Sequence, residues 1–183
     1  MKKLVTLTLV LILSIGQLVA QEPADKLIAD ALSKAKSENK NVFVKFSASW
    51  CYWCRKLDSY LNSEPCQKFF KANYVIVTLI ANEMFIPGEI DRTHLENPGA
   101  NELLQKYGSE KADMPMKIFG MPFWYIINQE GELLEDAFDV NGENLSCPTK
   151  PESVEKFIKK LSRTSNITET DIQAIRKTFI LKH

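Results

Sequence analysis

The sequence predicts an α/β fold, in which short apolar runs of strand length alternate with stretches of helical period. Val42-Phe43-Val44-Lys45-Phe46 and Tyr74 to Ile80 are β-branched and aromatic runs of the kind that form buried strands. Gly120 to Ile127 is a third, and the turn residues Asn128-Gln129-Glu130-Gly131 join it to a return strand over 132–140. Leu27, Ile28, Ala31, Leu32 and Ala35 recur at helical spacing ahead of the first strand, which places an amphipathic helix there.

Taken in order, the opening helix spans Gln21 to Lys40, with Pro23 tolerated in its first turn. Ser37 to Asn41 turns the chain into the first strand, and Ser47-Ala48-Ser49 ends it. Arg55-Lys56-Leu57-Asp58-Ser59-Tyr60-Leu61 is made of helix formers. After Asn62 a second helical piece runs from Cys66 to Ala72, with Ser63 as N-cap and Pro65 early in the turn. The strand at 74–80 is apolar almost throughout, as in a sheet covered on both faces. Residues 82–98 and 108–119 read as long polar loops around a helix from Gly99 to Tyr107 that Gly108 ends. Pro122 stands near the start of the third strand, where a sheet tolerates it. Asn141 to Lys150 is loop. Helices follow at 151–161 and 168–181, the last opened by Thr168 with Asp171 and carrying Ile172, Ile175 and Phe179 on one face.

Residues 1–20 have the form of a secretory leader: Lys2-Lys3, then an apolar stretch from Leu4 to Ile15, then Ala20 before the cut. The apolar stretch is shorter than the about 20 residues of a membrane-spanning helix, so the mature chain is expected to be exported without stable membrane insertion. The 163 residues from 21 to 183 are enough for one domain. Without Lys2 and Lys3, 21 basic residues face 23 acidic ones, a balance that argues against nucleic acid as a partner. Outside the cytosol disulfides persist, which gives cysteines a redox meaning.

Trp50-Cys51-Tyr52-Trp53-Cys54 places two thiols three apart at a strand-to-helix junction. Cys51 is expected at the helix N-terminus, where unpaired N–H groups favour a thiolate, and is the candidate attacking sulfur. Cys54, one turn on, lies on the same face with its Cα roughly 5 Å away, within disulfide reach, and is the candidate resolving sulfur. A zinc site needs two more ligands, whereas Cys66, Cys147, His94 and His183 are scattered, so no metal is expected. Haem attachment needs His after Cys54, where Arg55 stands. A purely structural disulfide is disfavoured because so small a loop removes little unfolded-chain entropy. Asp139 to Glu143 lacks the spacing and distal Glu of a calcium loop. No cofactor is implied.

Strand, Trp-Cys-x-x-Cys opening a helix, a βαβ return, then an apolar strand starting at Met121-Pro122 and a hairpin: this order resembles the thioredoxin superfamily. More narrowly it is similar to exported thioredoxin-like proteins carrying Trp-Cys-x-Trp-Cys. The resemblance covers roughly residues 25–161 and implies a central mixed β-sheet flanked by helices, with the C-terminal segment 166–183 as an extra helix. It also implies thiol–disulfide exchange with cysteines of exported substrate proteins, for which the reducing direction, with a membrane electron donor, is the expectation. An oxidase or isomerase, or a non-catalytic binding or chaperone module, stays open as the alternative. By the same resemblance Pro122 is cis and faces the disulfide, Met121 pairs with an extended substrate, Trp50 shields the cysteines, and Tyr52 and Trp53 shape the groove. Thioredoxin has a buried Asp where this chain has Lys45, a cation that either favours thiolate or snorkels outward. Cys66 and Cys147 are expected as two separate thiols, and Glu132, Glu135 and Asp136 as a solvated strand face.

Overall fold

The structure, a computed structural model, describes residues 21–83, 90–109 and 120–180. The leader expected over residues 1–20 and most of the 108–119 loop lie outside these. The described residues form six helices and four strands: α1 (Ala24–Glu38), β1 (Asn41–Ser47), α2 (Tyr52–Leu61), α3 (Glu64–Asn73), β2 (Tyr74–Ile80), α4 (Ala100–Ser109), β3 (Phe123–Ile127), β4 (Leu133–Asp136), α5 (Pro151–Thr164) and α6 (Glu169–Phe179). A single 3-10 turn, Thr93–Leu95, interrupts the loop before α4.

The sheet order is β2-β1-β3-β4. β1 runs parallel to β2, from Asn41 opposite Tyr74 to Ser47 opposite Ile80, and antiparallel to β3. β3 and β4 form the antiparallel hairpin. The sheet is therefore mixed and helices flank it, as the resemblance to the thioredoxin superfamily implies. Central β1 and β3 are buried along their length, save Asn41 at the start of β1. β2 is an edge strand, with Thr78 exposed and Val75 and Ile76 half-buried. The expectation of full cover for this strand is corrected: edge position, not composition, decides how much of a strand water reaches.

Aromatic rings dominate the core. Phe43 of β1 touches the rings of Phe70, Tyr74, Trp124 and Phe157, gathering α3, β2, β3 and α5 around one side chain. On the other face Phe46 meets Phe123 and Tyr125, and Tyr125 stacks on Tyr107 of α4. Each such ring buries a large apolar area, and offset or edge contacts add to it.

Boundaries differ from expectation where a local signal was overruled. Pro23 is the N-cap of α1 rather than a first-turn residue, and Asn39 ends that helix in a left-handed conformation. Gly108 does not end α4, which continues through Ser109. β3 begins only at Phe123, because the chain at Gly120 to Pro122 leaves the ladder. β4 stops at Asp136, and Phe138 bridges to Asn144 instead. The solvated face expected at Glu132, Glu135 and Asp136 holds only for Glu132, which is exposed: Asp136 is buried with Oδ1 accepting the Phe138 N–H, and Glu135 is paired with Lys160 and Arg163 of α5.

Candidate functional site

The site begins where β1 ends. Ser47 is its last residue, and the turn that follows is closed by the Cys51 N–H donating to the Ala48 carbonyl at 3.0 Å. Cys51 is the N-cap of α2, with extended φ and ψ, and its sulfur accepts the Cys54 N–H at 3.0 Å. A sulfur does here what a Ser or Asp oxygen does at most caps, which is to satisfy one of the orphan N–H groups of a first turn. Cys51 and Cys54 are joined in a disulfide, their Cα atoms 5.3 Å apart. Both are almost fully buried, and the Cys54 sulfur lies 3.9 Å from the Phe46 carbonyl oxygen.

The sheet register brings a second segment to the same place. Phe123 pairs with Phe46, so Pro122 stands beside the end of β1 from which the cysteine turn departs. The Met121–Pro122 bond is cis, and both residues are buried. Around this floor the aromatic side chains are open to solvent. Trp50 is 38% exposed, Tyr52 59% and Trp53 42%, with the Tyr52 and Trp53 rings edge to face at 5.4 Å. Trp53 is therefore not ordinary core packing. Trp50 is fixed by its indole N–H, which donates to the Asn82 carbonyl at 2.9 Å.

Lys45 does not snorkel. It is 3% exposed, and its ammonium is 2.6 Å from Asp58 Oδ1, one turn beyond Cys54 on α2. Burial pulls the Lys45 pKa below the ordinary lysine value, while Asp58 opposes that shift. Of the other nearby cations, Arg55 donates to the Ser49 carbonyl at 2.9 Å and Lys56 lies over the Tyr60 ring.

Sequence reasoning missed Asp58 and Glu83. The buried Glu83 carboxylate holds Ser49 twice, accepting its N–H at 2.5 Å and its hydroxyl at 2.7 Å. Together with Trp50 on Asn82, this ties the approach to Cys51 to the chain leaving β2. The i, i+4 spacing of Cys54 and Asp58 was a readable signal; nothing local marks Glu83, which lies 34 residues from its partner. Cys66 and Cys147 are free and buried. Burial pushes the Cys147 thiol up to about 12, against a weaker opposing pull from Lys56.

A family model described as a thioredoxin-like domain matches residues 28–140. The chain belongs to the thioredoxin-like domain family. The match takes in β1, the Cys51–Cys54 disulfide at the start of α2, the cis Met121–Pro122 bond and the β3–β4 hairpin. This is the arrangement of a thiol–disulfide oxidoreductase. No curated protein matches the chain. Among solved structures, this thioredoxin-like chain is similar to a disulphide isomerase from Xylella fastidiosa Temecula1, at 20% identity and a TM-score of 0.49 over 76% of this chain and 91% of that one. It is also similar to a DsbH oxidoreductase (24% identity, TM-score 0.43, 78% and 83%). A third is the C-terminal domain of DsbD from Neisseria meningitidis in its oxidised form (21%, 0.40, 63% and 83%). At such identities and TM-scores a likeness does not extend to activity or substrate. No helix among the described residues is long and apolar enough to cross a membrane.

Proposed function

We propose that this chain is an exported thiol–disulfide oxidoreductase that reduces disulfides in other exported proteins through Cys51 and Cys54. The observation that carries the reading is the Cys51 sulfur at the N-cap of α2, accepting the Cys54 N–H inside a disulfide beside Pro122. A thiolate at Cys51 gains from that N–H and from the helix N-terminus. It attacks one sulfur of a substrate disulfide, forming a mixed disulfide and expelling a substrate thiolate that takes up a proton. Cys54, deprotonated, then attacks the Cys51 sulfur, closing the intramolecular bond and releasing the second substrate thiol. Two electrons pass to the substrate, and a dithiol donor, on this reading a membrane protein, restores the pair.

Trp50, Tyr52 and Trp53 form the exposed apolar rim against which an unfolded segment rests, and Met121 supplies backbone pairing for it. Lys45 tunes the pair electrostatically from beneath α2. Export rests on the leader-like residues 1–20.

The direction is assigned by equilibrating the protein in graded thiol buffers, alkylating, and reading the mass. A potential near about −270 mV supports the reductant, and one near about −120 mV replaces it with an oxidase. A pair that stays oxidised throughout makes the chain a static binding module. Cys51→Ser is expected to abolish reduction of a small disulfide, and Cys54→Ser to accumulate mixed disulfides through Cys51. Retained turnover in the first variant, or no trapped species in the second, would overturn the assigned order.

A further inference from the structure

The loop between β4 and α5 reaches back to the proline segment of the site. Its start is a small closed hairpin. Leu145 N–H donates to the Ala137 carbonyl at 2.7 Å, Phe138 bridges to Asn144, and Asp139 Oδ1 accepts the Asn141 and Glu143 N–H groups. Lys156 of α5 pairs with the other oxygen of Asp139 at 2.9 Å. From this base three carbonyls in a row, those of Gly120, Met121 and Pro122, each receive a side-chain donor. The Asn144 amide donates to Gly120 and, at 3.2 Å, to Pro122, and the Ser146 hydroxyl donates to Met121 at 3.2 Å.

Ser146 is itself held firmly. Its N–H donates to Asn144 Oδ1 at 2.8 Å, and its carbonyl accepts the indole N–H of fully buried Trp124 at 3.0 Å. Its φ of 52° lies in the left-handed region, which a serine adopts only where its surroundings hold it.

A peptide that adds to this segment as a strand needs backbone acceptors as well as donors. On that pairing the Met121 carbonyl is an acceptor the added strand would use, and it already accepts the Ser146 hydroxyl at 3.2 Å. We propose that Ser146 is a specificity-determining residue. Its hydroxyl competes with a substrate backbone N–H for the Met121 carbonyl and so weakens binding of extended peptides, without touching the sulfur chemistry. This rests on the reading of Met121–Pro122 as the substrate groove.

Ser146→Ala keeps the backbone and Cβ and removes only the competitor. Two substrates separate the effects: an extended peptide carrying a glutathione mixed disulfide, and bis(2-hydroxyethyl) disulfide, which has no peptide backbone. For the peptide, KM is expected to fall about fivefold with kcat unchanged, the size of one net hydrogen bond. Kinetics on the small disulfide and the reduction potential are expected to stay at the parent values. A peptide N-methylated at the pairing amide should show no gain in Ser146→Ala. An unchanged or raised peptide KM overturns the proposal, as does an equal change on both substrates or an undiminished gain with the N-methylated peptide. Failure of the parent protein to reduce the small disulfide strikes instead at the oxidoreductase reading, and takes this proposal with it.

Discussion

Among the described residues Lys45 pairs with Asp58. Breaking a buried ion pair by removing one side costs ~3–5 kcal/mol, and the cost is less where water screens one partner. The Asp58 side chain is 39% exposed and that of Lys45 4%, so the two ends of the pair are unequal. Asp58→Asn leaves a buried ammonium alone and is expected to cost about 2 kcal/mol at pH 7. Lys45→Met fills the same space and leaves a carboxylate that water reaches, at an expected cost under about 1 kcal/mol. The pH dependence distinguishes the two further. The folded-state pKa of Lys45 lies below its unfolded value, so between those two pH values the unfolded chain binds more protons and stability rises with pH. Loss of Asp58 lowers the folded value further and widens that window downward. The deficit of Asp58→Asn therefore shrinks as pH is raised toward about 10. Urea unfolding at pH 7 and 9 measures it, and a deficit that grows with pH contradicts the charged buried lysine. The tuning role adds a second readout: Lys45→Met is expected to shift the onset of thiolate alkylation in the reduced protein to higher pH. An unmoved onset assigns Lys45 to structure alone.

At the level of elements, α6 is no appendage. It packs on α3 and α5, and Phe179 is fully buried against the rings of Tyr60 and Phe157. Tyr60 belongs to α2, so the C-terminal helix supports the helix that carries the cysteines. Phe179→Ala is expected to cost about 3–5 kcal/mol. Thr168→Ala, which removes the N-cap that accepts the Asp171 N–H, should cost about 1 kcal/mol. Chemical denaturation measures both, and a Phe179→Ala cost under about 1 kcal/mol would return α6 to the status of an extension. The start of α6 was legible because capping is local: Thr168 and Asp171 declare it in four residues. Its role was not, because an amphipathic stripe says that a face is buried without saying against what. The same division runs through the site. Cys51 at a helix start could be read from an apolar strand, a short turn and helix formers in sequence. Glu83 on Ser49 and Ser146 on Met121 join loops by contacts without period or spacing. Lys45 was left between two readings because its partner, Asp58, looked like any helix-surface acid.

For the whole molecule, the four cysteines divide into one linked pair and two thiols enclosed by the core. Cys66, on α3, is fully buried, and Cys147 is 7% exposed with its thiol pushed up to about 12, so little reactive thiolate forms at Cys147 at neutral pH. Alkylation of either requires the fold to open. In native buffer the fully oxidised protein is expected to take up no alkyl groups at pH 7.5, and two after denaturation without reductant. Rapid native labelling at Cys66 or Cys147 would contradict the packing. Mass shifts in the redox titration therefore count electrons at Cys51 and Cys54 alone. The anchoring of Ser49 on Glu83 and of Trp50 on Asn82 has a different use. Glu83 donates its own N–H to Glu96, and Glu96 receives the Asn101 amide. Ser49, two residues before Cys51, is thereby joined by a chain of hydrogen bonds to the start of α4. The backbone amide resonances of Ser49 and Glu83 are expected to shift between the oxidised and the reduced protein, and unmoved resonances would contradict that link.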